Sequence, residues 1–289
     1  MQFKYLSFFI LSIVIIFSSC EKAINVHLDE GTSQIVVDAF ITNLLGRQTI
    51  KLTNTSSYFE NSPSTAITGA AVNIINENTG QVFSFTDENN TGTYTWSSGS
   101  TLATINNSYS LVIIYNGDTL KSHCQVNPVP LIDSLTYKYK EGITQKLTGY
   151  FASFWGVDIP NRTDYYWIKS FRNDTLINEP QYQNIAFDGA VEGWNADGVA
   201  FFDIIRNAIT PFDKPFHLND SVKIQLMSVN AATYRFLLQA QFQLTNSGLF
   251  ARPTANLPTN IINTNKNSST KPVGWFVISA VSQKAIAIK

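Results

Sequence analysis

From Gln34 to Val126 the chain is written as short runs of β-branched and aromatic residues separated by Asn, Gly and Ser. Apolar side chains that alternate with polar ones share one solvent-shielded face only in a pleated strand, where successive side chains point to opposite sides. Ile35, Val37, Ala39 and Ile41 form one such face, and Tyr109, Leu111, Ile113 and Tyr115 form another. Strands are therefore expected over Gln34–Thr42, Gln48–Thr53, Ala71–Asn76, Val82–Thr86, Thr93–Trp96, Ser108–Tyr115 and Thr119–Val126. Asn116-Gly117, between the last two, is the strongest turn signal, because both central positions of a two-residue hairpin turn need positive φ. Asn78-Thr79-Gly80 and Asn89-Asn90-Thr91-Gly92 mark further turns. Strands of this kind in close succession predict an immunoglobulin-like β-sandwich over residues 34–127.

Asn127-Pro128-Val129-Pro130 interrupts the pattern. Two prolines one residue apart cannot continue a hydrogen-bonded ladder, so a domain boundary is expected here. Over residues 131–289 the strand signals are less regular: Ser134–Tyr139, Leu147–Phe154, Tyr165–Arg172, Val199–Ile205, Ser221–Met227 and Trp275–Val281. Between the last two, Tyr234, Leu237, Leu238 and Phe242 recur at helical spacing, with Asn230 placed as an N-cap and Gly248 beyond the end. One amphipathic helix over 230–244 is expected, followed by an extended, Pro-spaced loop from Arg252 to Asn263. The predicted architecture is mainly β: the sandwich, then a second antiparallel β domain, sandwich or barrel-like, with a single helix.

The first residues obey a different rule. Lys4 precedes an almost unbroken apolar run from Leu6 to Phe17. As a helix this run spans about 18 Å, well short of the roughly 30 Å hydrocarbon core, so it fits a secretory signal better than a permanent span. Phe17-Ser18-Ser19-Cys20 follows, two small residues ahead of a cysteine, as in bacterial lipoprotein signals. Phe17 occupies the position usually held by Leu, Val or Ile. The expectation is a signal peptide over 1–19, lipidation of Cys20 by acyl chains of the palmitate kind, and a polar tether over 20–33.

Charged residues make up 14% of the chain and the net charge is −1, with Asn, Thr and Ser abundant. Nucleic acid as a partner needs a concentrated basic footprint, and no Lys/Arg cluster supplies one. Apart from Cys20 there is one cysteine, Cys124, so the mature chain has no intrachain disulfide to form; Cys124 is expected to be a small buried hydrophobe.

His27, His123 and His217 fall on tether, strand and loop with no spacing that would converge on a metal, so none is expected, and no cofactor either. Asp87 to Gly92 is oxygen-rich but lacks the distal bidentate Glu of a calcium loop and reads as a hairpin turn. Asp188-Gly189, Glu192-Gly193-Trp194 and Asp197-Gly198 form a Gly-punctuated stretch, a solvated insertion or a loop at a ligand mouth. Trp155 and Trp194 are the candidate ligand-binding residues: exposed, they would stack on sugar rings; buried, they would be core. No nucleophile elbow or phosphate loop is present, and no catalytic residue is assigned.

Several short motifs occur in a fixed order: Cys20-Glu21-Lys22, Gly92-Thr93-Tyr94, Pro128-Val129-Pro130 ahead of Ile132-Asp133-Ser134, Tyr165-Tyr166, and Val222 to Thr233-Tyr234 entering the helix. Pro253, Asn256, Pro258, Asn260-Ile261 and Gly274-Trp275-Phe276 follow. Together they resemble the domain-of-unknown-function family 4249, a group of Gram-negative surface or periplasmic lipoproteins, over essentially the whole mature chain. The resemblance implies an outer-membrane, lipid-anchored protein on the periplasmic or cell-surface face, associated with TonB-dependent transporters. It carries no catalytic residues across. The first functional expectation is thus a non-enzymatic accessory or binding protein for an outer-membrane β-barrel transporter. The second is a surface glycan or small-molecule binding protein, and the third a hydrolase of envelope polymers.

Overall fold

The computed structural model describes residues 32–56, 63–248, 251–253 and 255–289. The expected signal peptide, Cys20 and the expected tether as far as Gly31 lie outside the described residues. The described fold is mainly β, with no closed barrel.

The alternating runs of the N-terminal half form β1 (Ile35–Thr42), β2 (Gln48–Asn54), β3 (Ala71–Asn76), β4 (Val82–Phe85), β5 (Thr93–Trp96), β6 (Ser108–Tyr115) and β7 (Asp118–Gln125). Burial follows the pleat: Ile35, Val37, Ala39 and Ile41 point inward, as do Tyr109, Leu111 and Ile113. The Asn116-Gly117 turn joins β6 to β7 with φ of 48° and 82°, the left-handed pair that such a hairpin requires. Two strands from the far end of the chain, β14 (Ile262–Asn263) and β15 (Val273–Ser279), complete the sandwich. One sheet runs β15-β1-β2-β5, the other β14-β7-β6-β3-β4, and one hydrophobic core fills the space between them.

Here the expected strand over Trp275–Val281 changes place, all but its last residue, Val281, which opens a later strand. It belongs to the first sheet, parallel to β1 from Val36↔Val273 to Thr42↔Ser279, not to the second domain. Trp275 to Ser279 are all buried, the continuous run of a strand covered on both faces, and such a run carries no alternation to show which sheet it joins. Gly274 permits the approach: with φ +101°, it lies so close to β1 that a Cβ there would collide with the Val37 carbonyl oxygen.

The outer edge of β15 is closed by side chains instead of a strand. Asn260 Nδ2 donates to the Phe276 carbonyl (2.7 Å) while its Oδ1 accepts from the Phe276 N–H (2.9 Å). Thr259 Oγ1 donates to the Gly274 carbonyl, and the Ile278 N–H donates to Cys124 Sγ at 3.4 Å. Cys124 is buried as expected, with this backbone contact in addition.

The second half contains β8 (Ser134–Lys140), β9 (Gly149–Trp155), β10 (Tyr165–Arg172), β11 (Thr175–Leu176), β12 (Asn184–Phe187), β13 (Ser221–Val229) and β16 (Val281–Ala287). The sheet β11-β10-β13-β16, with β12 also on β10, shares a second core with the β8–β9 ribbon. The expected strand Val199–Ile205 is not one. Phe201, Ile205 and Ile209 reach the core at intervals of four from a loop and the single helical turn Asp203–Arg206. β11, β12, β14 and β16 were not anticipated from the sequence.

The predicted helix spans Ala231–Thr245, and the Asn230 side chain accepts the Thr233 N–H at 2.8 Å. Tyr234 and Leu237 are buried, but Phe242 is exposed, so the last turn lies off the packed surface. The helix braces both halves. Phe236 stacks on Trp275 of β15 (centroids 4.4 Å apart, 16° between planes), and Tyr234 packs on Tyr165 of β10. Along the chain the buried residues of the first core run to Val126 and those of the second begin at Ile132, but the C-terminal strands serve both cores, and residues 33–289 form one compact unit.

Candidate functional site

The end of β9 places an indole in solvent. Phe154 points into the core, Trp155 out, Gly156 in, Val157 out and Asp158 in, the plain consequence of a pleat continued past the strand end. Trp155 is 41% exposed, and its Nε1 donates to Thr136 Oγ1 on β8 at 3.3 Å. The Arg206 guanidinium lies 3.7 Å from the centre of its ring, and Asp203 fixes that guanidinium through a 2.6 Å hydrogen bond from Nε.

The segment ahead of Asp203 supplies the second indole. Trp194, 48% exposed, packs on Phe202, which immediately precedes the helical turn, with centroids 5.3 Å apart. Val157 bridges Ala200 and the Asp158 N–H donates to the Val199 carbonyl, so the two loops run side by side. Val157, Val199 and Ile204, on the same adjoining segments, are also exposed. The result is an aromatic and aliphatic patch spread over adjoining segments.

Beneath it lies a network of carboxylates. Asp158, Asp164 and Asp188 are all buried, Asp164 with only 2% of its surface exposed. Asp188 Oδ1 accepts the Asp164 N–H at 2.6 Å, and the Asp188 N–H donates to the Asp164 carbonyl. Asp158 accepts from the Tyr166 hydroxyl (2.5 Å) and from the Gly198 N–H (3.2 Å). Asp197 accepts the N–H groups of Asn161 and Arg162. Each aspartate thus ties the 156–164 loop, or the start of β10, to the 188–199 segment.

Arg162 gives Asp164 Oδ1 two contacts, Nε at 2.9 Å and Nη2 at 2.8 Å, while Asp164 Oδ2 is buried with no hydrogen-bond partner. Burial pushes the Asp164 carboxyl up to about 6; Arg162 opposes this, and Asp158 and Asp188 add to it. Burial likewise raises Asp158, against its hydrogen bonds.

Other sequence candidates fall elsewhere. His123 Nδ1 lies 3.0 Å from Glu77 Oε1, and Ser110 Oγ donates to that same oxygen. Hydroxyl and imidazole therefore converge on one carboxylate instead of on each other, which is not the order that activates a nucleophile. Asp87 accepts the N–H groups of Thr91 and Gly92 and so caps its turn. His27 lies outside the described residues, and His217 stands in the loop before β13. An open cleft of about 450 Å³ is lined by Arg172, Thr175, Leu176, Glu179, Pro211 and Lys214. Its charges are matched internally: Arg172 lies 3.6 Å from the Asp220 carboxylate and donates through Nη2 to the Lys214 and Pro215 carbonyls, and Lys214 pairs with Glu179.

Trp155 and Trp194 were legible as candidates; Asp158 and Asp164 were not. The partners that tie them to the 188–199 segment, Asp188 and Gly198, lie 24 and 40 residues away, and no local motif marks them. Of the Gly-punctuated stretch, Asp188 and Asp197 are structural ties, and Trp194 belongs to the patch.

These features define a mainly β protein whose described surface concentrates exposed aromatic chemistry over a buried acidic network. The chain belongs to the family described as Domain of unknown function (DUF4249), whose model matches residues 21–285. No curated protein matches it.

Proposed function

We propose that this protein is a non-enzymatic, lipid-anchored binding protein of the outer membrane that docks on a β-barrel transporter of the TonB-dependent class through the patch around Trp155 and Trp194. Cys20, acylated after signal removal, holds the body at the bilayer; two or three acyl chains satisfy the two-signal requirement for stable attachment, at about 0.8 kcal/mol per buried methylene. No helix among the described residues is long and apolar enough to cross a membrane.

The observation that carries the docking reading is the exposure of both indoles, at 41% and 48%, on adjoining segments that also expose Val157, Val199 and Ile204. Large apolar side chains gathered on a surface mark interaction sites, and Trp and Arg dominate the energetics of protein interfaces. The aliphatic neighbours favour a protein over a sugar, since a sugar-stacking platform needs rings flanked by hydroxyls and amides. Glycan binding, the second reading, rests on the same indoles.

Extraction in mild detergent and affinity purification of the lipidated chain should recover a barrel. The double variant Trp155→Ala/Trp194→Ala should reduce that recovery at least about thirtyfold, as two hot-spot side chains would. Recovery of the wild type alone under all conditions refutes the docking reading. Binding of a soluble glycan in the absence of a barrel supports the second. Cys20→Ser should abolish fatty-acid labelling and release the body from membranes; if that variant still fractionates with membranes, the anchoring reading falls.

A further inference from the structure

The carboxylate network under the patch is built differently from an ordinary set of loop caps. Asp158, Asp188 and Asp197 each accept backbone N–H groups across the two loops, as a carboxylate in a turn commonly does. Asp164 does not. Its N–H and carbonyl bind Asp188, one carboxylate oxygen is held by Arg162, and Oδ2 is enclosed without a donor. A buried carboxylate oxygen facing no donor is costly when ionised, and a proton on it removes both the cost and the repulsion from its acidic neighbours.

We propose that Asp158, Asp164 and Asp188 form a proton-operated latch: protonated Asp164 holds the loop that follows Trp155 to the segment that bears Trp194, and its ionisation loosens them. The inference rests on the docking reading, because it assigns regulation to that same patch. The loops concerned are 156–164, which continues from Trp155 and carries Val157, and 188–199, which carries Trp194 and Val199. The charged and titratable groups facing Asp164 are Asp158 and Asp188, which favour its neutral form, Arg162, which favours its charged form, and Tyr166, whose hydroxyl is committed to Asp158. Asp197 holds the outer end of the 156–164 loop through Asn161 and Arg162.

The direction follows from linkage. The closed latch retains its proton up to about pH 6, whereas an opened, solvated aspartate releases it near pH 4, so closure weakens as pH rises through that window. Between pH 5 and pH 7 the opening equilibrium should rise about tenfold.

Amide hydrogen exchange of residues 156–164 and 188–199 in the intact chain, corrected for the intrinsic pH dependence of exchange, reads this directly. The expected result is about tenfold faster corrected exchange, and so an about tenfold larger open population, at pH 7 than at pH 5 in the wild type, with no such change in Asp164→Asn. A flat wild-type profile overturns the latch. Should the Asn variant fail to fold, carboxyl-carbon NMR of the wild type decides instead: a midpoint near 6 for Asp164 supports the proposal, and one below about 4.5 overturns it. Neither readout involves a partner, so a working latch with unaltered barrel recovery in the Trp155→Ala/Trp194→Ala variant would refute the docking reading alone.

Discussion

Replacing Asn260 by alanine tests how the parallel strand at the edge of the first sheet survives without a neighbour. The Asn260 amide does for Phe276 what an adjacent strand would do, donating to its carbonyl at 2.7 Å and accepting its N–H at 2.9 Å. Phe276 is fully buried, so Asn260→Ala would leave two main-chain groups unmatched. Each such group costs about 1–3 kcal/mol. Asn260 itself is half-buried, which lets water reach part of the site, so the expected loss is about 3 kcal/mol. Asn260→Asp sharpens the test. An ionised carboxylate still accepts the Phe276 N–H but meets the carbonyl as a second acceptor; a protonated one donates to it. The folded state therefore binds the proton more tightly than the unfolded chain, so the stability it confers is present below about pH 4 and is lost as pH rises. Urea denaturation followed by tryptophan fluorescence at pH 7 and pH 4 measures both variants. An Asn260→Ala protein within about 0.5 kcal/mol of wild type, or an Asn260→Asp deficit identical at the two pH values, would mean that water replaces the amide and that the strand edge is not held as described.

Two further predictions address packing and charge. Gly274→Ala should cost more than about 3 kcal/mol or prevent folding, because its Cβ would collide with the Val37 carbonyl; Gly117→Ala, also at positive φ but with open space around it, should cost about 1 kcal/mol, and thermal unfolding of the pair separates clash from conformational strain. Lys169 lies over the Trp167 ring at 4.0 Å, and burial pulls its ammonium down to about 8, with Asp38 opposing. The unfolded chain keeps that proton to about pH 10.4, so wild-type stability should rise relative to Lys169→Met between pH 8 and that value; parallel stability curves for the two proteins would contradict this.

The N-terminal sandwich was legible because its strands have one wet and one dry face, which writes a period of two into the residues. β15 and the end of β13 lack that signature: Trp275 to Ser279 and Leu226 to Val229 are buried without a break. The apolar run therefore located a strand near Trp275 but not its sheet, which depends on pairing with β1 about 240 residues earlier. The run Val199–Ile205 misled for a related reason. Apolar residues four apart can reach a core from a loop and a helical turn as well as from a strand, and only tertiary packing separates the cases. At the site, Phe154-Trp155 at a strand end forces one of two large aromatics outward, so Trp155 was readable. Asp188-Gly189 and Asp197-Gly198 were readable only as part of a solvated insertion or a loop at a ligand mouth, since what Asp188 and Asp197 hold, the backbone around Asn161 and Asp164, is distant in sequence.

The way the chain closes determines how the patch is presented. β15 belongs to the first sheet and β16 to the second, with Ala280 alone between them. That junction is pinned on every side. The Ser228 N–H donates to the Ala280 carbonyl at 3.0 Å, Asn43 accepts the Val281 N–H at 2.9 Å, and the Ser228 hydroxyl donates to the Asn127 carbonyl at 2.7 Å. The residue where the sequence places its boundary, Asn127, is thus stitched to the end of β13, and the helix clamps Trp275 and Tyr165 from the two halves at once. A hinge at the Pro128-Val129-Pro130 segment would have to break these contacts together. The sheets carrying β1 and β10 therefore keep one orientation relative to each other, whatever the 156–164 and 188–199 segments do at their ends.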